Sequence, residues 1–265
     1  MTMKTAIVYL ETFFLVIGIE ALMVFYPGYM NEIISGRYFI HAAMIVISII
    51  CILLHKGRFR DHGLRKISVK DCLAVLRYFP VLFIGSVPFM FVSYTSWAGA
   101  FIITAVYIVI VVPLCIQVGE KTIVARWLIA IGALLLAVTG YLASMVAAEK
   151  LCSLLIFYGF FVGFGEELLF RGYIQTRIAT VNPYGLMIGK FRLSYAVIIS
   201  SLLFGFAHMF NSFDPSGGVW KLEIPWGVWT AASGVVFGII RERTGTVFVS
   251  AMLHGVLVLI PQFFI

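Results

Sequence analysis

The sequence predicts an all-α protein, a polytopic helical membrane bundle of about eight or nine spans. Three observations predict it. The 265-residue chain is 62% hydrophobic and 12% charged, whereas soluble domains average about 45–50% apolar and about 25% charged residues. Its apolar residues gather into runs near the length of about 20 that a helix needs to cross about 30 Å of hydrocarbon. Those runs are too long for barrel strands and do not alternate with period 2. An ordinary soluble enzyme, a nucleic-acid module and a disordered chain are excluded together.

Nine apolar segments can be marked, at 6–26, 39–54, 72–94, 99–118, 123–147, 151–178, 193–210, 226–240 and 246–264. The first follows Lys4, is interrupted by Glu11 and Glu20, and has no small-residue cleavage site after it, so it reads as an uncleaved span. The segment at 226–240 is short, and one segment could be re-entrant. Between the second and third lies a basic loop, 55–71, with an Asp61–Gly63 turn ahead of an expected interfacial helix. Residues 1–150 form one group of spans and 151–265 a second.

The net charge of +7 is not a nucleic-acid patch. Lys56, Arg58, Arg60, Arg65, Lys66 and Lys70 share the 55–71 loop, and most other basic residues stand at the ends of apolar runs. That distribution marks cytoplasmic loops beside anionic headgroups. With 55–71 inside, the N-terminus is cytoplasmic. Lys121, Arg126, Arg177, Lys190, Arg192, Arg241 and Arg243 then fall on the same side. Cys51, Cys72, Cys115 and Cys152 are dispersed and read as packing residues, not a disulfide framework or a zinc site.

A charge in hydrocarbon costs roughly 2.5–3.5 kcal/mol at a helix centre, so the acids inside apolar runs need a partner or a function. Glu11 reads as interfacial. Glu20 is deeper and unexplained, and an Arg from another span could pair with it. Glu166 and Glu167 sit in Gly159-Phe-Phe-Val-Gly163-Phe-Gly165-Glu-Glu-Leu-Leu-Phe-Arg171-Gly172. Glu167 and Arg171 are four apart in the favourable order for an intrahelical ion pair. Glu166, turned about 100° away, has no such local partner. The glycines at 159, 163 and 165 allow a close neighbour.

Two histidines lie well inside apolar segments, beyond His41 at the start of the second: His208, one turn after Phe204, and His254, midway along the last run. An imidazole can share a water with a carboxylate. His41, His55 and His62 are assigned no role. No His-Glu-x-x-His and no Gly-x-Ser-x-Gly occurs. Gly163-Phe-Gly165-Glu166 has the shape of an aspartyl intramembrane protease motif without its second Asp.

These residues resemble the CAAX protease and bacteriocin-processing (CPBP, or Abi) family of intramembrane glutamic proteases, which includes the Ras-converting CAAX prenyl endopeptidase. Three motifs carry the likeness over 151–265: Glu166-Glu167-x-x-x-Arg171 followed by Gly172, Phe204-x-x-x-His208, and His254 preceded by Arg243-Thr-Gly-Thr246. The resemblance implies a CAAX-protease-like core with a cavity open to the cytoplasm. It also implies hydrolysis of a prenylated CAAX-type or small membrane-associated peptide. Glu166 with His208 would activate water, His254 would donate to the oxyanion, and Glu167 and Arg171 would brace the site.

The likeness departs at Val258, where the family carries Asn as a second donor. Either a backbone N–H or another residue such as Asn211 takes that place, or the activity is weak, altered or absent. The alternative is accordingly a non-catalytic member acting as a membrane scaffold or immunity protein. A proton-relay transporter ranks last, lacking paired broken helices. No cofactor is implied; zinc on Glu166, Glu167, His208 and His254 is a chemical alternative to the metal-independent water activation the family implies. The expected partners are the lipid bilayer and a peptide or lipidated protein substrate, with no nucleic acid, and the expected location is a prokaryotic plasma membrane. Linear counting places His208 nearer the outer surface than Glu166; a tilted 151–178 helix or a re-entrant start to 193–210 would bring them level.

Overall fold

The computed structural model describes residues 2–25, 36–118, 123–189, 191–213 and 218–263. Among them every one of the nine apolar segments is helical. The helices are α1 (Met3–Phe25), α2 (Gly36–Leu54), α3 (Val69–Met90), α4 (Trp97–Gln117), α5 (Ile123–Ser144), α6 (Ala148–Ala179), α7 (Tyr195–His208), α8 (Ile224–Thr244) and α9 (Val247–Phe263). A small antiparallel hairpin, β1 (Gly185–Ile188) with β2 (Phe191–Ser194), joins α6 to α7. Tyr26, Lys121, Lys190 and Phe264, and part of the 211–225 loop, lie outside the described residues.

Among the described residues six helices are long and apolar enough to cross a membrane: α1, α3, α4, α5, α6 and α8. The chain is an integral membrane protein. The three shorter apolar helices are α2, α7 and α9, which corrects the expectation that the short segment is 226–240. That segment extends to the 21 residues of α8 and is the most buried of the six long ones. Pro225 in its first turn suits a position whose N–H has no helical partner. Gly245, at φ 70°, ends it in the left-handed conformation that glycine adopts without a Cβ clash.

Local chemistry sets the other boundaries. Ser96, Ser194 and Thr246 cap α4, α7 and α9, each side-chain oxygen accepting from an early backbone N–H. Wider π-type turns occupy Leu155–Val162 and Leu168–Gln175 of α6, on either side of the single α turn that carries Glu166 and Glu167. Such insertions re-aim side chains and recur at functional sites.

Two apolar clusters organise the bundle. One joins α3 and α4 to α8 and α9, including Tyr78, Phe79, Ile103, Val236 and Leu253. The other joins α1 and α2 to α6 and α7, including Ile19, Ile52, Leu168, Phe170 and Phe204. Each cluster mixes residues from before and after position 150.

The 55–68 loop forms no separate interfacial helix; after Gly63 the chain runs non-helically into α3. It is tied to three helices instead. His62 is buried and donates from Nδ1 to the Gly172 carbonyl at 2.9 Å. The Gly63 carbonyl accepts from Val247 N at 3.1 Å and Thr246 Oγ1 at 3.2 Å, and Arg241 Nη2 donates to the Asp61 carbonyl at 3.2 Å. Burial holds the His62 imidazole below the usual histidine range.

Glu11 is ion-paired as well as near the surface. It meets Arg177 Nη2 at 3.0 Å, accepts from the Tyr173 hydroxyl and lies 3.5 Å from His55 Nε2. These contacts fasten α1 and the end of α2 to α6.

Candidate active site

Helix α6 is held closely on two sides at the level of Glu166. A Cβ on Gly163 would stand 2.7 Å from the Ala251 carbonyl oxygen and 2.9 Å from Gly255 Cα, so α9 lies against it backbone to backbone. A Cβ on Gly165 would stand 3.1 Å from the His41 carbonyl oxygen of α2. Gly159 differs from this pair, since its own Cβ would meet nothing within 4 Å. These approaches bring His254 and His41 to opposite flanks of the Glu166 turn.

Glu166 and His208 meet, with Oε2 3.8 Å from Nε2. Each lies roughly thirteen residues from the end of its helix at the β1–β2 hairpin. The two helices run antiparallel from that hairpin, so equal counts give equal depth.

The two adjacent carboxylates have different surroundings. Glu167 is fully buried, with Oε2 3.6 Å from Arg171 Nε and Oε1 3.2 Å from His254 Nδ1. Arg171, also fully buried, donates from Nη2 to the Gly234 carbonyl at 3.2 Å and lies 4.5 Å over the Phe204 ring. Glu166 is 8% exposed. Its Oε1 meets His41 Nε2 at 3.1 Å, while Oε2 is 3.8 Å from both His208 Nε2 and His254 Nε2. Among the described residues Oε2 has no hydrogen-bond partner.

Partners fix the ring orientations. His208 Nδ1 is 2.9 Å from the Phe204 carbonyl, which only accepts, so this nitrogen donates and Nε2 of the neutral ring presents its lone pair to Glu166. The Phe204 ring lies 4.3 Å from that of His208, and Phe237 stacks on His254 at 5.0 Å. Apolar walls thus hold both imidazoles where their backbone and carboxylate contacts aim them.

The structure therefore brings together Glu166, His208, His254, Glu167 and Arg171. It also adds His41, to which the sequence reading gave no role. The signal was available, because a histidine inside an apolar run is itself conspicuous in a membrane, but 125 residues separate His41 from Glu166. Among the described residues Glu20 meets no Arg: it lies near Glu166, with Oε2 buried and without a hydrogen-bond partner. Among the described residues no three His, Cys, Asp or Glu side chains are placed to hold one metal ion.

No curated protein and no solved structure matches the chain. A protein-family comparison does match: residues 148–260 correspond to the family described as type II CAAX prenyl endopeptidase Rce1-like. That stretch holds α6 to α9 and, with them, Glu166, Glu167, Arg171, His208 and His254. Over residues 148–260 the chain is similar to the Rce1-like type II CAAX prenyl endopeptidase family.

Proposed function

We propose that the chain is an intramembrane endopeptidase that hydrolyses a peptide bond in a prenylated CAAX-type or small membrane-associated peptide, with residues 151–265 as its catalytic core. One observation carries the reading. Glu166 Oε2 faces two imidazole nitrogens at 3.8 Å, too far for a direct hydrogen bond and close enough for a water at about 2.8 Å to bridge Oε2 to either nitrogen. A water there donates one hydrogen to Glu166 Oε2 and the other to the His208 Nε2 lone pair, leaving its oxygen electron-rich.

The water oxygen forms a bond to the peptide carbonyl carbon as its proton passes to Glu166. The carbonyl π pair moves onto oxygen. When the C–N bond breaks, protonated Glu166 returns a proton to the leaving nitrogen. His254 Nδ1 is engaged by Glu167, so donation from its Nε2 to the oxyanion requires the doubly protonated ring. Glu166 and Glu167 flank that ring and balance its charge. Arg171 holds Glu167, and the pair orients His254. This chemistry leaves Val258 without a part, and the N-terminus is read as cytoplasmic in a prokaryotic plasma membrane.

The test is cleavage of a farnesylated, internally quenched peptide by the protein in proteoliposomes. Glu166→Ala should lose about 10²–10⁴ in rate, and His208→Ala should also slow turnover, both with chelator-insensitive wild type. Full activity in Glu166→Ala would sink the assigned base. A folded wild type that binds the peptide and never cleaves it would favour the scaffold reading.

A further inference from the structure

The matched domain begins at residue 148, yet the shortest polar contact to Glu166 comes from α2. His41 Nε2 stands 3.1 Å from Glu166 Oε1, and the two side chains are 15% and 11% exposed. The approach is built into the packing of three elements. Gly165 lets the α2 backbone come close to α6, with the His41 carbonyl 3.1 Å from where its Cβ would be. Phe157 lies edge-on to the His41 ring at 5.6 Å, and Tyr38, one turn earlier on α2, packs on Phe157 at 4.7 Å and Phe161 at 5.2 Å. At the far ends Glu11 ties α1 to Arg177 and Tyr173 of α6. Neither helix can drift from α6 without breaking those contacts.

A carboxylate rotates about its last torsion with little preference, so aiming one oxygen at the reacting water needs a hold on the other. We propose that His41 is the positioning residue for Glu166. Its Nε2–H holds Oε1, so Oε2 is the oxygen turned toward His208 and His254 and the one that takes the water's proton. The catalytic constellation is then completed from outside the matched domain, and α2 is part of the enzyme's working machinery. This rests on the endopeptidase reading above.

A Gln at position 41 can place an amide N–H near the Nε2 position, whereas Ala cannot. In the farnesylated-peptide assay His41→Ala should lower kcat by about tenfold to a hundredfold, the scale of a misaimed reacting group, with KM within about twofold. His41→Gln should recover most of the rate. In parallel, the infrared carboxylate band of Glu166, isolated as wild type minus Glu166→Gln, should shift in His41→Ala and stay in place in His41→Gln. Thermal melting of all variants separates misfolding from misaiming, and the Gln variant carries the test if the Ala variant does not fold. An unmoved Glu166 band, unchanged kcat in His41→Ala, or equal loss in a folded Gln variant would each overturn the proposal with the endopeptidase reading intact. An inert wild type with a His41-sensitive band would instead overturn the endopeptidase reading, and the role assigned to His41 with it.

Discussion

Consecutive residues of α6 face two regions of opposite character. On the Glu167 side, carboxylate, guanidinium and carbonyl are sealed from exposure, with Arg171 roofed by Phe204. On the Glu166 side one oxygen meets His41 and the other faces two imidazoles at 3.8 Å, whereas Glu167 Oε2, also without a hydrogen bond among the described residues, stands 3.6 Å from the Arg171 guanidinium. The difference teaches that a pair of intramembrane acids divides labour by surroundings, not by chemistry. One charge is neutralised locally and becomes structure. In the proposed mechanism the other is positioned to take the water's proton.

The sharpest way to break that comparison is to swap the losses. Removing one member of a buried ion pair strands the other, at about 3–5 kcal/mol. Arg171→Met should therefore lower stability by that amount, and adding Glu167→Gln should return much of it. Glu166→Gln should cost less stability than Arg171→Met, because an amide oxygen can still accept from His41 and His254 keeps Glu167, while cleavage is lost. Thermal unfolding in detergent checks both sides. A Glu166→Gln variant that melts as early as Arg171→Met would erase the distinction.

The next effect tests how the site is assembled. Gly163→Ala would drive a methyl into the α9 backbone at 2.7–2.9 Å, where no flexible side-chain end can yield. Overpacking of this kind costs about 1–3 kcal/mol. Because α9 carries His254, the displaced helix should also slow kcat, in the same proteoliposome assay. Unchanged melting and unchanged turnover together would show that α9 does not rest on Gly163.

How much of this was legible follows from which distances the chain encodes locally. The Glu167–Arg171 pair is a four-residue spacing, so helical geometry alone yields it. The helices of the described residues follow from apolar run length, and the interfacial helix expected after Gly63 gives way to a loop held by tertiary bonds from His62 and Gly63. Equal counting from the β1–β2 hairpin also places Glu166 beside His208, although linear depth from the surface obscures it. His41 was not legible as a partner. It belongs to a different helix, has no motif around it, and reaches Glu166 only because Gly165 lets α2 approach. Glu20 was flagged as unexplained, but the Arg expected for it is absent among the described residues, where it lies near Glu166.

The glycines give the finest test of the comparison, since three that look alike in sequence differ in space. Gly163 and Gly165 are each overlain by a neighbouring backbone, whereas a Cβ on Gly159 points into open space. Gly255, one residue beyond His254, does approach the Gly159 backbone, its own Cβ falling 2.9 Å from Gly159 Cα. The closeness at Gly159 is therefore to the main chain and leaves the direction of an added methyl free. Gly159→Ala should leave cleavage unchanged and raise stability by about 0.5–1 kcal/mol, the helix-propensity gain of Ala over Gly. A shift in melting temperature of opposite sign to that of Gly163→Ala is the expected readout. Loss of activity in Gly159→Ala would mean that the whole 159–165 face, not only the turn bearing Glu166, is pressed against a neighbour during turnover.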